Sequence, residues 1–160
     1  MEFVPCLTRS VEGGIEIITL GHPLLDDYLA FVAARARANT WLAVAYDLKV
    51  FFEAVGKEPA AVRRADVFAF LAAQRAPRRG ETVVRLDDGE AGLAARTIAR
   101  RLSSVAGLFA YLAAREDSGV RANTVPRGLA SRRPGAPGPG RGSAGAHPAY
   151  PAADPGPGRG

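Results

Sequence analysis

Six side chains able to donate hydrogen bonds crowd one short stretch of the sequence: Arg96, Thr97, Arg100, Arg101, Ser103 and Ser104. Guanidinium groups and hydroxyls packed this closely suit an acceptor rich in oxygen, and phosphate is the commonest such partner. Cations near a helix N-terminus oppose the macrodipole by about 0.3 to 1 kcal/mol, so local helix stability does not account for them. A bound phosphate would, because the free N–H groups of a helix start add donors of the same sense. The competing reading is a solvated Arg-rich face: Arg greatly outnumbers Lys in this chain, as a GC-rich genome produces, and exposed helix faces are usually charged.

The element that must position these groups runs from Leu93 to Glu116. Ile98, Leu102, Val105, Phe109 and Leu112 recur at helical spacing and form one buried stripe, with the basic and hydroxyl residues off it in the first half. An earlier helix, capped by Asn39 or Thr40 and stopped by Gly56, carries Trp41, Ala45, Leu48, Phe52 and Val55 on its core face. Its other flank presents Thr40, Tyr46 and Lys49. Pro23 opens a first helix to about Arg37, with Asp26 and Asp27 in its first turn and Leu25, Leu29 and Val32 inside. A third helix from about Ala65 to Arg75 buries Val67, Phe70 and Leu71. The stretch Arg78 to Gly92 reads as a charged loop with a weak hairpin signal at Asp88-Gly89, and Ile15 to Leu20 as a short extended segment against the helices. Four amphipathic helices with no strong strand pattern predict an all-α four-helix bundle.

The chain has 160 residues, a formal charge of +5 and a pI near 10.0, which suits a polyanionic partner and leaves the fold open. The lone Cys6 excludes an internal disulfide framework and a Cys-based zinc site, so a reducing compartment is expected. No apolar run approaches the about 18 residues of a membrane span, and the start lacks a signal-peptide pattern, so the expected location is the cytoplasm. From Gly119 onward Pro and Gly dominate and little is left to bury, which predicts disorder in the tail. His22, His147 and Tyr150 have no helical frame and are assigned no chemistry.

The order of these pieces resembles the N-terminal core-binding (SAM-like) domain of tyrosine recombinases, the phage-integrase family, over roughly Leu24 to Pro134. LLDDYLAFVAARARANTWLAVAYDLKVFFEAVG is similar to the family's helix, Asn-Thr cap and Tyr-x-x-Asp-Leu-x-x-Phe helix. ADVFAFLAAQR resembles its third helix and RTIARRLSSVAGLFAYLAARE its Thr-Ile-x-x-Arg-Leu-Ser helix. NTVPRGLASRRP resembles the linker into the catalytic domain, with Thr124 where the family usually has Pro. The resemblance divides the chain into an arm at 1–22, a core-binding domain at 23–118, an interdomain-type linker at 119–134 and a low-complexity tail at 135–160.

In that family the second and fourth helices face the major groove of duplex DNA. The resemblance therefore implies Thr40, Tyr46 and Lys49 on one helix, and Arg96, Thr97, Arg100 and Arg101 on the other, as the DNA-facing set. Arg can fork to phosphate or guanine, Lys supplies a point charge, and Thr and Tyr hydroxyls bond phosphate oxygens. Other roles compete: Tyr46 as an amphipathic core-edge residue, Lys49 as the i+4 partner of Glu53, and Asn39 and Thr40 as helix caps. The family's catalytic Tyr and its Arg, Lys and His partners have no counterpart here, so the chain is expected to be a catalytically incomplete module, not an enzyme. The expected partners are double-stranded DNA and, on it, further copies of the chain; no membrane, small-molecule substrate, metal or cofactor is expected. One GC-rich choice of codons for GAHPAYPAADP, read one base downstream, gives V-R-T-P-R-T-L-P-R-I, which resembles the segment that such integrases carry just after the linker. The tail is accordingly read as out-of-frame translation, which the nucleotide sequence tests. Two other classes compete for the whole chain. A small helix-turn-helix regulator would need two short helices and a tight turn before the basic one. A helical protein-interaction module would need its Arg to be compositional only.

Overall fold

A computed structural model of the chain describes residues 2–76 and 93–129. The charged loop expected at Arg78 to Gly92, the residues beyond 129 and the out-of-frame segment lie outside these. The described residues are not purely α-helical. Thr8–Glu12 (β1) and Ile15–Thr19 (β2) pair antiparallel, with Thr8 opposite Thr19 and Glu12 opposite Ile15. The physical reason is the pair Gly13-Gly14: both adopt positive φ, 58° and 81°, as the two-residue turn matching strand twist requires. Only the second strand is expected from apolar content. It is the one that buries Ile18 and, just beyond its end, Leu20, and it lies against α1 (Pro23–Ala33), whereas β1 is exposed throughout.

His22 does have a helical frame, contrary to the sequence reading, because it is the residue just before Pro23: it caps α1, its Nδ1 accepting the Leu24 N–H at 3.2 Å, and Pro23 fills the first helical position, where the missing N–H costs nothing. The helix stops at Ala33, short of Arg37: beyond Val32 its stripe continues only with the small Ala36, and the Arg35 and Ala36 N–H groups turn back to the Val32 carbonyl. The next helix, α2 (Ala38–Val55), starts earlier than an Asn39 or Thr40 cap would allow. Arg37 takes the extended cap conformation, with its carbonyl accepting from the Thr40 and Trp41 N–H groups at 2.9 and 3.0 Å, so Asn39 and Thr40 sit inside the first turn.

The helix α2 is the hub. It packs on α1, on α3 (Arg64–Arg75) and on α4 (Ala95–Ala113), burying Trp41, Ala45, Leu48, Phe51 and Phe52. Phe51 meets Phe52, Phe70 and Phe109 edge-to-face, with ring centroids 5.0 to 6.4 Å apart. The helix α4 is shorter at both ends than the stretch Leu93 to Glu116. Leu93 instead donates its N–H to the Gln74 carbonyl at 3.2 Å, and the Ser118 hydroxyl closes the C-terminal end by donating to the Leu112 carbonyl at 2.6 Å. Residues 119–129 are not disordered as the composition predicts, because they find partners on the core: the Asn123 side-chain amide donates to the Ala106 carbonyl at 3.0 Å, and Val125 is buried beside the helices.

Gly56 ends α2 in the left-handed region, φ 65°, donating its N–H to the Phe52 carbonyl at 2.8 Å. Any L side chain there is strained, so Gly56→Ala is expected to lower unfolding free energy by about 1 kcal/mol. Thermal denaturation checks it: an unchanged midpoint would mean that the helix end relaxes freely.

Candidate nucleic-acid interface

Asp47 is the centre of this region, and local periodicity does not single it out. It sits on α2 at the seam with α4, with its side chain 2% exposed. Arg100 Nη2 donates to its Oδ1 at 2.7 Å and the Ser104 hydroxyl to its Oδ2 at 2.9 Å. Arg101 Nε lies 3.8 Å from the same Oδ1, while its Nη1 donates to the Gln74 side chain at the end of α3. A buried carboxylate is costly unless paired and hydrogen-bonded, and here it is both.

The two arginines that flank it are not equivalent. The Arg100 side chain is 57% exposed, and its bond to Asp47 uses one of the five guanidinium donors, so the rest of the fork faces outward. The Arg101 side chain is only 16% exposed and ties three helices together. Ser104, placed off the core stripe by periodicity, is buried as the hydroxyl partner of Asp47. Arg96 is exposed one turn before Arg100 on the same face of α4, and Thr97 beside it is partly buried. One carboxylate thus faces two guanidinium groups, and Arg96 adds further positive charge.

On α2, Thr40 is exposed and, seven positions before Asp47, shares its edge of the helix about 10 Å nearer the start. Tyr46 is exposed about 100° around the helix from Asp47. Lys49 stands about 160° away, on the opposite edge, and there it pairs with Glu53. The fold therefore brings Thr40, Arg96, Thr97, Arg100 and Arg101 to one seam, sets Tyr46 beside it, and turns Lys49 away. Asp47, Ser104 and Gln74 join them. The signal for Asp47 was an acidic residue between apolar positions 45 and 48 on a core-facing helix, which demands a cationic partner elsewhere in the chain.

Among the described residues there is no cluster of three or more His, Cys, Asp or Glu that could hold a metal ion, and no helix long and apolar enough to cross a membrane. No curated protein and no solved structure matches the chain. The family description "Phage integrase, N-terminal SAM-like domain" matches residues 25–116, the span from the first turn of α1 to the turn after α4 that contains the whole seam. The chain belongs to the phage integrase family through this N-terminal SAM-like domain.

Proposed function

We propose that the chain binds duplex DNA through the α2–α4 seam, as the core-binding half of a site-specific recombinase clamp in the cytoplasm, with no strand-breaking chemistry in the described residues. The observation that carries this reading is the Asp47 anchor: a buried carboxylate holds Arg100 at the seam while leaving most of its donors outside. An orienting anchor under an exposed guanidinium reduces the entropy lost when the fork closes on a phosphate or a guanine edge. Arg96 and Thr97 extend the donor row, and Thr40 supplies a hydroxyl from the facing helix. Tyr46 borders the contact; Lys49, engaged by Glu53, contributes least.

The test is titration of the full chain on duplex DNA at several salt concentrations. Binding is expected at low salt, and the variant Arg96→Ala/Arg100→Ala should reduce the slope of log affinity against log salt by about 2, with about tenfold weaker binding. DNA binding indifferent to salt, or unchanged in the double variant, would favour a helical protein-interaction module instead.

A further inference from the structure

A second cationic site lies at the other end of the domain. A cavity of about 330 Å³ opens between the start of α3 and the segment that follows α4, lined by Arg63, Arg64, Arg121 and Thr124 with small aliphatic residues between them. Among the described residues none of the three guanidinium groups has a hydrogen bond or an ion pair within 4.0 Å, and no carboxylate lines the cavity. Asp66, the acid in the first turn of α3, is engaged by Lys57 at 2.6 Å and by the Arg63 N–H at 2.8 Å and is not part of the lining. The Thr124 hydroxyl is buried and has no partner among the described residues.

We propose that this cavity is a phosphate-binding site. Arg63 has the nearby Asp66 carboxylate as a counter-charge, whereas Arg64 and Arg121, on segments far apart in sequence, have no carboxylate partner among the described residues, and an anion bound between them removes their repulsion. The groups present are forked N–H donors and a hydroxyl, both suited to tetrahedral oxyanions. The lining has no aromatic ring on which a base would stack, so the site holds the phosphate and reads no sequence. It is separate from the α2–α4 seam: Gln74, which binds Arg101, is at the last turn of α3, and the cavity is at the first, about 16 Å away along the axis. The phosphate has two sources, a nucleic-acid backbone continuing past the seam or a free phosphate.

The experiment uses the full chain labelled with ¹⁵N and inorganic phosphate as probe. Phosphate should shift the amide signals of Arg64 and Arg121, in the wild type and in Arg96→Ala/Arg100→Ala alike. Arg63→Ala/Arg64→Ala/Arg121→Ala should raise the phosphate Kd by about tenfold or more, and the triple Lys variant should recover part of it. All three residues are exposed, so unaltered circular dichroism should accompany the loss. A second arm repeats the DNA titration: a smaller salt slope in the triple Ala variant identifies the backbone as source, and an unchanged slope identifies free phosphate. If phosphate leaves those amides unshifted and the salt slope is also unchanged, the site is refuted, whatever happens at the seam; binding of poly-glutamate without phosphate refutes it equally.

Discussion

Asp47→Ala is expected to lower the unfolding free energy by about 2 to 3 kcal/mol, an unusual loss for one acidic side chain. Most charged residues sit at the surface, and removing them changes stability by less than about 0.5 kcal/mol. Asp47 differs because three groups from α4 converge on it and two of them cannot simply turn to water. Ser104 is buried and loses its acceptor; Arg101, with a 16% exposed side chain, keeps Gln74 and loses its counter-ion. Arg100 adds little to the loss, since its largely exposed guanidinium re-solvates. Asp47→Asn keeps one acceptor oxygen for Arg100 and turns an N–H toward the Ser104 hydroxyl, which can accept it, so it should cost roughly half as much. Urea unfolding reads this as a lower midpoint at constant slope. A loss of unfolding free energy below about 0.5 kcal/mol would mean that the carboxylate is no anchor, and the orientation of Arg100 would lose its physical basis.

Phe51→Ala should do more, about 3 to 5 kcal/mol. Phe51 is fully buried and touches rings of α2, α3 and α4, so truncation opens a void where three helices meet and the surrounding backbone cannot collapse into it. For a domain whose total stability is about 5 to 15 kcal/mol, the variant stands near the edge of folding. Phe51→Leu keeps most of the volume and should cost about 1.5 kcal/mol or less. Phe68→Ala is the control: that ring is 50% exposed on α3 and its loss should be nearly neutral. Equal midpoints for Phe51→Ala and Phe68→Ala would contradict the packing described above.

The helices were legible because each writes its own period. Leu25, Leu29 and Val32, then Trp41, Ala45 and Leu48, then Val67, Phe70 and Leu71, then Ile98, Leu102 and Val105 are all buried where spacing places them. Ends were less legible, since Arg37 caps α2 with its backbone alone and no side-chain signature marks it. The hairpin was half visible: Ile15 to Leu20 carries apolar content, but β1 is exposed on both faces, and only the Gly13-Gly14 turn announces it. Within the candidate interface, Lys49 and Glu53 could be paired from i,i+4 spacing, and they are. Asp47 and Arg100 are 53 positions apart, a relation that exists only after α2 has packed on α4. Periodicity likewise assigns Ser104 to the flank, because the edge of a helix becomes interior once a neighbour covers it.

Gln74 has a consequence for how this domain tolerates change. Its carbonyl accepts the Leu93 N–H and its side chain accepts from Arg101, so the last turn of α3 and the beginning of α4 are fastened together at the base of the intervening chain. Closing a connection whose two ends are already clasped costs only about 0.6 kcal/mol more for each doubling of its length. Insertions, deletions or an engineered tag between those ends are therefore expected to cost little stability. The clasp, and with it the aim of α4, would stay the same.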